Sequence, residues 1–329
     1  MGTHFERFAL IIVGPTCSGK SFLALRLAER LKSVIINADA MQCYRDLRIL
    51  TARPTEEEER QVPHTLYGVL PWFQTGNAGW WREQALAQLE QAWDQRRLPI
   101  VCGGTGMYLN ALIHGIAEIP EPSQESRNQA RQMLSEKGCL YVYDQLKQFD
   151  PLTALKLKPT DAQRIARAWE VWKSTGQGLH YWQQKKHLPG AQCKFLVIRL
   201  APPRSSLKEA VKERFENMIE NGAVKEVEQL LQSNPHVDAP LLHTHGVAEL
   251  GRYLKGELSL SQATAQSVLR TQRYIKRQET WFNNQKLVCD DQNCIFSSII
   301  DQKLEFYKSI VDKSLHFIKS FIDPLRLID

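Results

Sequence analysis

The chain has 329 residues, 43% of them hydrophobic and 24% charged, which excludes a disordered or fibrous protein and allows one large core or two modest ones. A net charge of +6 is mildly basic, so a polyanionic partner is suggested only if the cations cluster. Seven scattered cysteines with no C-x-x-C pair exclude a disulfide framework and a zinc site, and place the chain in a reducing cytoplasm. The longest N-terminal apolar run is too short for a membrane span or a signal peptide, so no membrane partner is expected.

In chain order, the apolar run Phe8–Val13 predicts a buried strand, and Ser21–Leu31 a helix with Leu23, Leu27 and Leu31 on one side. Between them Gly14, Pro15, Thr16, Cys17, Ser18, Gly19, Lys20 and Ser21 spell G-x-x-x-x-G-K-[ST]. In a strand–loop–helix setting this is a phosphate-binding loop: backbone N–H groups turn inward around phosphate oxygens, and the helix N-terminus adds partial positive charge. Lys20 reaches the outer phosphates, and the Ser21 hydroxyl is a magnesium ligand. The motif signals a diphosphate or triphosphate without saying what carries it.

Val34–Ala38 predicts a second strand, followed at once by Asp39. A carboxylate there can be a general base, an outer magnesium ligand or a helix cap. Trp81–Arg96 predicts a helix and Leu98–Cys102 a third strand, ending in Gly103-Gly104-Thr105-Gly106. The fold class is α/β, a P-loop core with a parallel sheet, and the phosphate loop, Asp39 and Thr105 all fall just past strand ends, where such sheets bind ligands. The third strand lacks the terminal acid with which many P-loop kinases and ATPases order magnesium.

The Pro120–Ser123 stretch reads as a boundary. Residues 118–192 read as a helical insertion without a strand, flanked by core segments 1–117 and 193–329. One insertion helix is marked by a capping box over Thr160–Gln163, an apolar stripe of Ile165, Trp169 and Trp172, and a Gly176 stop. Arg164, Arg167 and Ser174 lie on another face. Lys194–Leu200 reads as a strand returning to the sheet, after which the C-terminal part is helical. Leu207, Val211, Phe215 and Met218 form one helix stripe closed by Gly222. A long helix from Ser261 to Asn283 carries Arg270, Arg273, Lys276 and Arg277 with Tyr274, Trp281 and Phe282 between them, which suits a nucleic-acid backbone with stacked bases or a solvated basic face over buried aromatics. Apolar spacing from Ile300 to Ile322 suits a helix docked on the body, and Asp301, Glu305 and Asp312 argue against a membrane-surface helix.

Taken together, these segments resemble the tRNA dimethylallyltransferases, also called tRNA isopentenyltransferases. The matches are ordered: GPTCSGKS at 14–21; D-x-x-Q-x-Y as Asp39, Gln42 and Tyr44; T-A-R-P-T at 51–55; Pro63-His64; GGTGMYL at 103–109; Asp150-Pro151; PTDAQRIARAWEV at 159–171; and KRQETWF at 276–282. The resemblance implies transfer of a dimethylallyl group from dimethylallyl diphosphate to N6 of the adenosine 3′ of the anticodon in tRNA, with Mg2+ as cofactor and the chain acting as a monomer. It makes Asp39 the base that takes the N6 proton, with Lys20, Thr105 and an arginine of the long helix, here Arg273, completing the catalytic set. It assigns tRNA contacts to Asp39, Ala40, Met41, Gln42, Thr105, Gln163, Arg164, Arg167, Gly246, Lys276, Arg277, Gln278 and Trp281, and gives the insertion the anticodon arm. The chain departs from the family pattern at Ala40, Leu50, Arg53, Val247 and Gln272, where serine, glycine, lysine, tyrosine and arginine are usual. Arg273, one residue along and about 100° round an ideal helix, is the candidate replacement for the arginine missing at 272. A small-molecule P-loop kinase, a prenyltransferase acting on free adenine nucleotides and a non-catalytic RNA-binding module are the alternatives. The missing strand-end acid, the KRQ-x-TW helix, and the retained Lys20, Ser21, Asp39 and Thr105 weigh against them in turn.

Overall fold

The structure, a computed structural model, describes residues 6–236, 239–300 and 307–322. The elements in order are β1 (Phe8–Val13), α1 (Lys20–Arg30), β2 (Ser33–Asn37), α2 (Glu56–Gln61), β3 (His64–Thr65), α3 (Ala78–Asp94), β4 (Leu98–Gly103), α4 (Gly106–His114), β5 (Ile116–Ala117), α5 (Gln124–Phe149), α6 (Pro151–Ala154), α7 (Ala162–Thr175), α8 (Leu179–Gln183), β6 (His187–Leu188), β7 (Lys194–Leu200), α9 (Arg204–Glu220), α10 (Ala223–Gln232), α11 (Val247–Leu254), α12 (Leu260–Asn284), β8 (Asn293–Phe296) and α13 (Tyr307–Lys319). They form two compact units, one of residues up to Ile113 and from Ala191 on, the other His114–Gly190.

The larger unit is built on a six-stranded sheet in the order β3-β2-β4-β1-β7-β8, parallel throughout. Every residue of β1, β2 and β4 is buried, which explains why these strands read as unbroken apolar runs rather than alternating ones. Each fully buried Ile, Leu or Val side chain contributes about 1.5–3 kcal/mol, so the central strands anchor the unit. Helix α1 lays Leu23, Leu27 and Ala28 on the sheet. The sequence missed β3 and β8. The first has two residues, and the second has four, with only Cys294, Ile295 and Phe296 apolar after two aspartates and a glutamine.

Helix α13 packs on α1 through Ile310, Val311 and Ile318, with Arg30 on Asp312 at 3.0 Å and Phe22 edge-on to Tyr307 at 5.3 Å. The expected tail helix is thus present over Tyr307–Lys319, and its positions 301–306 lie outside the described residues. Among the described residues no helix is long and apolar enough to cross a membrane.

In the smaller unit Ile165, Ala168 and Trp169 of α7 pack against Ala130, Val142 and Leu146 of α5, which is broken at Gly138 (φ 81°). Trp172 stacks on Phe149 at 3.6 Å. Helix α7 ends at Gly176 (φ 70°) as its sequence predicts, but the cap is Asp161, whose Oδ1 accepts from the Arg164 N–H at 3.2 Å, in place of Thr160. An aspartate carboxylate one residue later is the better acceptor there. The expectation of no strand also fails: β5 and β6 pair antiparallel, Ile116 with Leu188 and Ala117 with His187. Two-residue strands are too short to show a period.

The strand order puts β2, β4 and β1 side by side, so the three loops that follow them leave one edge of the sheet together. At that edge Gly103 lies against Ala38 so closely that an added Cβ would stand 2.2 Å from the Ala38 carbonyl carbon. Gly103→Ala is expected to destabilise the protein by about 1–3 kcal/mol through overpacking, read as a lowered midpoint in thermal or urea unfolding. An unchanged midpoint would mean that the two strand ends can part without cost.

Candidate active site

The phosphate loop leaves β1 at Gly14 and enters α1 at Gly19, whose φ of 88° only glycine adopts without strain. No side chain caps α1, which leaves its first N–H groups available to an anion. The loop is tied back by the Ser18 N–H on the Pro15 carbonyl at 3.2 Å. It is tied sideways by Gln278 of α12, whose Oε1 accepts from the Thr16 N–H at 3.0 Å and from the Thr16 hydroxyl at 3.3 Å. The Gln278 amide in turn donates to the Gly104 carbonyl at 3.2 Å. The sequence expectation made Gln278 a tRNA contact; in the structure it is only 4% exposed, and its polar atoms bridge the phosphate loop to the Gly104 turn.

Lys20 lies under this loop, and burial holds its ammonium below the usual lysine range, partly offset by Cys102 and Asp39. Cys102, at the end of β4, has its thiol pushed up to about 11 by burial, against the pull of Lys20 and a hydrogen bond with Ser21. A neutral thiol therefore stands where the acid of a nucleotide-hydrolysing site would be. Arg214 of α9 brings a further cation: its Nη1 is 3.8 Å from the Cys17 sulfur, and its charge depresses Lys20. Sequence reasoning passed over Arg214. The signal was available, since Arg214 falls in the middle of the Leu207–Val211–Met218 stripe, where a charge needs an explanation. Arg273, proposed from sequence for this role, is exposed on α12, and Gln272 beside it is half-buried.

Asp39 is set by Asn37, which is fully buried. The Asn37 side chain accepts from the Asp39 N–H at 2.8 Å and donates to the Asp39 carbonyl at 2.9 Å and to the Leu66 carbonyl at 3.0 Å. The Asn37 carbonyl accepts from the Trp81 indole N–H at 2.8 Å. Asp39 Oδ1 accepts from the Met41 N–H at 3.0 Å, a turn contact two residues on; no side chain caps the short helix that follows, whose N-cap is Ala40. Thr105 closes the site: its N–H donates to the Ala38 carbonyl at 3.1 Å, and its hydroxyl oxygen accepts from the Ala40 N–H at 3.0 Å. That leaves the hydroxyl proton of Thr105 for a ligand. The Asp39 charge reaches Tyr67, Tyr108 and Tyr274, whose hydroxyls burial first, and Asp39 in addition, push above the usual tyrosine range. The crevice thus sets one carboxylate and two cations, Lys20 and Arg214, among neutral phenols and thiols, where an ionic contact is stronger than in water.

Of the other expected contacts, Ala40, Met41 and Gln42 are half-buried on the turn after Asp39. Gln42 donates its amide to the Thr51 and Ala52 carbonyls at 2.8 and 2.9 Å, holding the T-A-R-P-T loop. Glu226 of α10 holds the same loop by accepting from the Arg48, Ile49 and Leu50 N–H groups. Gly246, another expected contact, is buried, with φ 98°, and an added Cβ would meet the Phe215 ring at 3.0 Å. Lys276 and Arg277 are exposed, with the Arg277 guanidinium 5.6 Å over the Tyr274 ring. Trp281 is half-buried and seated on Gly106, where a Cβ would come within 2.4 Å of its ring. In the smaller unit Gln163 and Arg164 are exposed on α7. Arg167 is half-buried beside Glu170, and burial lowers its guanidinium while raising the Glu170 carboxyl.

Two family models match the chain, one described as IPP transferase over residues 42–285 and one as isopentenyl transferase over residues 8–66. A protein named tRNA dimethylallyltransferase from Granulibacter bethesdensis is 51% identical over 283 residues, 86% of this chain and 89% of its own length. The crystal structure of the full-length tRNA isopentenylpyrophosphate transferase from Bacillus halodurans is similar at 27% identity and a TM-score of 0.66, covering 96% of this chain and 97% of that one. A eukaryotic dimethylallyltransferase acting on tRNA shares the fold at 23% identity and a TM-score of 0.75, covering 95% of this chain and 80% of that one.

His245 packs on Tyr274 at 5.1 Å, and burial, together with Arg270 and Arg277, lowers its imidazole to about 4 against an ordinary 6.5. A base depressed in the folded state contributes stability that is present above pH 6.5 and is lost as pH falls from there toward 4, because the unfolded chain binds the proton first. The wild-type melting temperature is therefore expected to fall more steeply across that window than that of His245→Leu, measured by scanning calorimetry at matched ionic strength. Parallel pH profiles would remove His245 from the pH response.

Proposed function

Because this chain belongs to the IPP transferase family, we propose that it transfers the dimethylallyl group of dimethylallyl diphosphate to N6 of the adenosine 3′ of the anticodon in tRNA, giving N6-dimethylallyladenosine. The observation that carries the reading is the meeting of the phosphate loop, Asp39 and Thr105 past three adjacent parallel strands, with Thr105 hydrogen-bonded to the backbone on both sides of Asp39. A nucleophilic amine, a base and a departing diphosphate need that proximity.

In the reaction the N6 lone pair attacks C1 of the dimethylallyl group, and the C1–O bond breaks with its electron pair leaving on the diphosphate. The N6 proton passes to the Asp39 carboxylate. An exocyclic adenine amine is a poor nucleophile, because its lone pair is delocalised into the ring, so proton removal as the bond forms is useful. The Thr105 hydroxyl donates to the adenine or to the diphosphate. Lys20, the loop amides and Arg214 stabilise the charge that builds on the leaving group. The target base must leave its stack to reach the crevice.

Mg2+ fits this site. Among the described residues no cluster of three or more His, Cys, Asp or Glu could cage a metal, and Mg2+ needs no such cage: it is held by one or two protein oxygens, phosphate oxygens and water. Ser21, exposed at the start of α1, would supply a hydroxyl ligand and Asp39 an outer one. The ion would neutralise the diphosphate.

For tRNA, exposed Lys276 and Arg277 with Trp281 on the larger unit, and Gln163, Arg164 and Arg167 on the smaller one, are the contacts to the anticodon arm, by charge and by stacking. All seven cysteines are free thiols, which suits a reducing cytoplasm, where the protein acts as a monomer.

The reading is tested by mass spectrometry of nucleosides after incubating tRNA, dimethylallyl diphosphate, Mg2+ and the protein. N6-dimethylallyladenosine is expected without nucleotide consumption, and ADP release in step with product would favour a kinase. Asp39→Ala is expected to lower single-turnover transfer by about 10² or more with tRNA affinity little changed. A near-normal rate would remove Asp39 from the chemistry.

The two arginines are separable. Arg214→Ala is expected to raise KM for dimethylallyl diphosphate by about 10-fold, the scale of one charged hydrogen bond. Arg273→Ala is expected to leave that KM unchanged. The opposite pattern in steady-state kinetics would return the diphosphate role to Arg273.

A further inference from the structure

The phosphate loop has an outer wall, and that wall lies beyond the span of both family models, which end at residues 285 and 66. After α12 the chain forms β8, which pairs with β7 from Val197–Asn293 to Leu200–Phe296, and the Ala201 N–H donates to the Phe296 carbonyl at 2.8 Å. The next residues run to Ile299 and Ile300. Ile299 packs beside Cys17 with Leu207, Val211 and Ile275. Ile300 is 2% exposed in the main core, and its N–H donates to the Ser18 carbonyl at 3.1 Å. Its own carbonyl covers Gly19 so closely that a Cβ there would stand 1.9 Å away.

The Ser18 carbonyl and the Gly19 N–H belong to one planar trans peptide, so they point in opposite directions. A donor that fixes the Ser18 oxygen outward therefore fixes the Gly19 N–H inward, toward the space an anion occupies. Gln278 fixes the loop at Thr16, two residues earlier, and leaves the Ser18–Gly19 peptide to another partner. Without the Ile300 donor this peptide can rotate and turn a carbonyl dipole on the phosphate oxygens. We infer that residues 297–300 are a positioning strap of the diphosphate site, acting through the Ile300 N–H···O=C Ser18 bond. Ile300 is a positioning residue that touches no substrate. The inference rests on the proposed use of this loop for a diphosphate.

The test uses the full chain with inorganic diphosphate and Mg2+ in titration calorimetry. Wild type is expected to bind. If it does not, the diphosphate reading itself fails, independently of the strap. Ile300→Pro removes the N–H and is expected to weaken binding by about 10-fold, the scale of one lost hydrogen bond. Ile300→Ala keeps the N–H and trims only the core contact. It is expected to lower the melting temperature while holding diphosphate affinity within about twofold. Filter-binding affinity for tRNA is expected to be unchanged in both. A folded Ile300→Pro that binds diphosphate like wild type overturns the strap, and so does equal weakening by both variants, which would be general loosening. A measurement on wild type alone covers the case in which the proline variant does not fold. Coupling is reciprocal, so diphosphate must strengthen the bond that orders its site, and hydrogen exchange at the Ile300 amide should slow severalfold on saturation. Unchanged exchange overturns the inference.

Discussion

Where β4 ends, Gly103 sits against the Ala38 carbonyl with no room for a side chain, and two residues later Thr105 bonds the backbone on both sides of Asp39. That contact joins the ends of β2 and β4, and the ladder from β4 to β1 joins them to the phosphate loop. Parallel pairing is what makes it work: all the carboxyl ends fall on one edge, so loops far apart in sequence leave together. Asp39, Lys20 and Thr105 need no long loops to meet. Asp39 and Thr105 stand two residues past β2 and β4, and Lys20 follows β1 by the length of the phosphate loop, each strand being buried throughout.

The surroundings of Asp39 select for one kind of chemistry. The end of β4 carries Cys102, kept as a thiol by burial, and three phenols near Asp39 stay neutral. A metal that does not depend on a protein cage is matched to a substrate that brings its own oxygens. The cations are graded by depth: Lys20 and Arg214 at the loop, Arg273, Lys276 and Arg277 outside on α12. The inner pair suits a compact phosphate charge, and the outer set suits a long polyanion.

Support for the loop comes from elements remote in sequence. Gln278 lies 262 residues from Thr16 in the chain, and Ile300 meets Ser18 from the far side. A phosphate loop binds only as well as its peptide planes are aimed, and two of them here, at Thr16 and Ser18, have a partner in the last fifth of the chain. The segment after residue 285 completes the sheet edge with β8 and returns α13 to α1.

The sequence by itself determined the α/β class, the central strands β1, β2, β4 and β7, and the place of Lys20, Ser21, Asp39 and Thr105 beyond the ends of those strands. These are legible because buried parallel strands are unbroken apolar runs and a phosphate loop is local chemistry. The capping of α7 was off by one residue, and β3, β5, β6 and β8 were missed, since strands of two to four residues have no period to read. Arg214 was overlooked although its place on an apolar stripe gave a signal. Only the tertiary structure decided that Gln278 and Gly246 are interior residues. A glutamine on a basic helix looks like any solvent-facing amide until the Thr16 and Gly104 groups it satisfies, hundreds of residues away, are folded against it. Ile300 behind Ser18 is the same case, because a backbone N–H carries no sequence signature and its partner is fixed by packing alone.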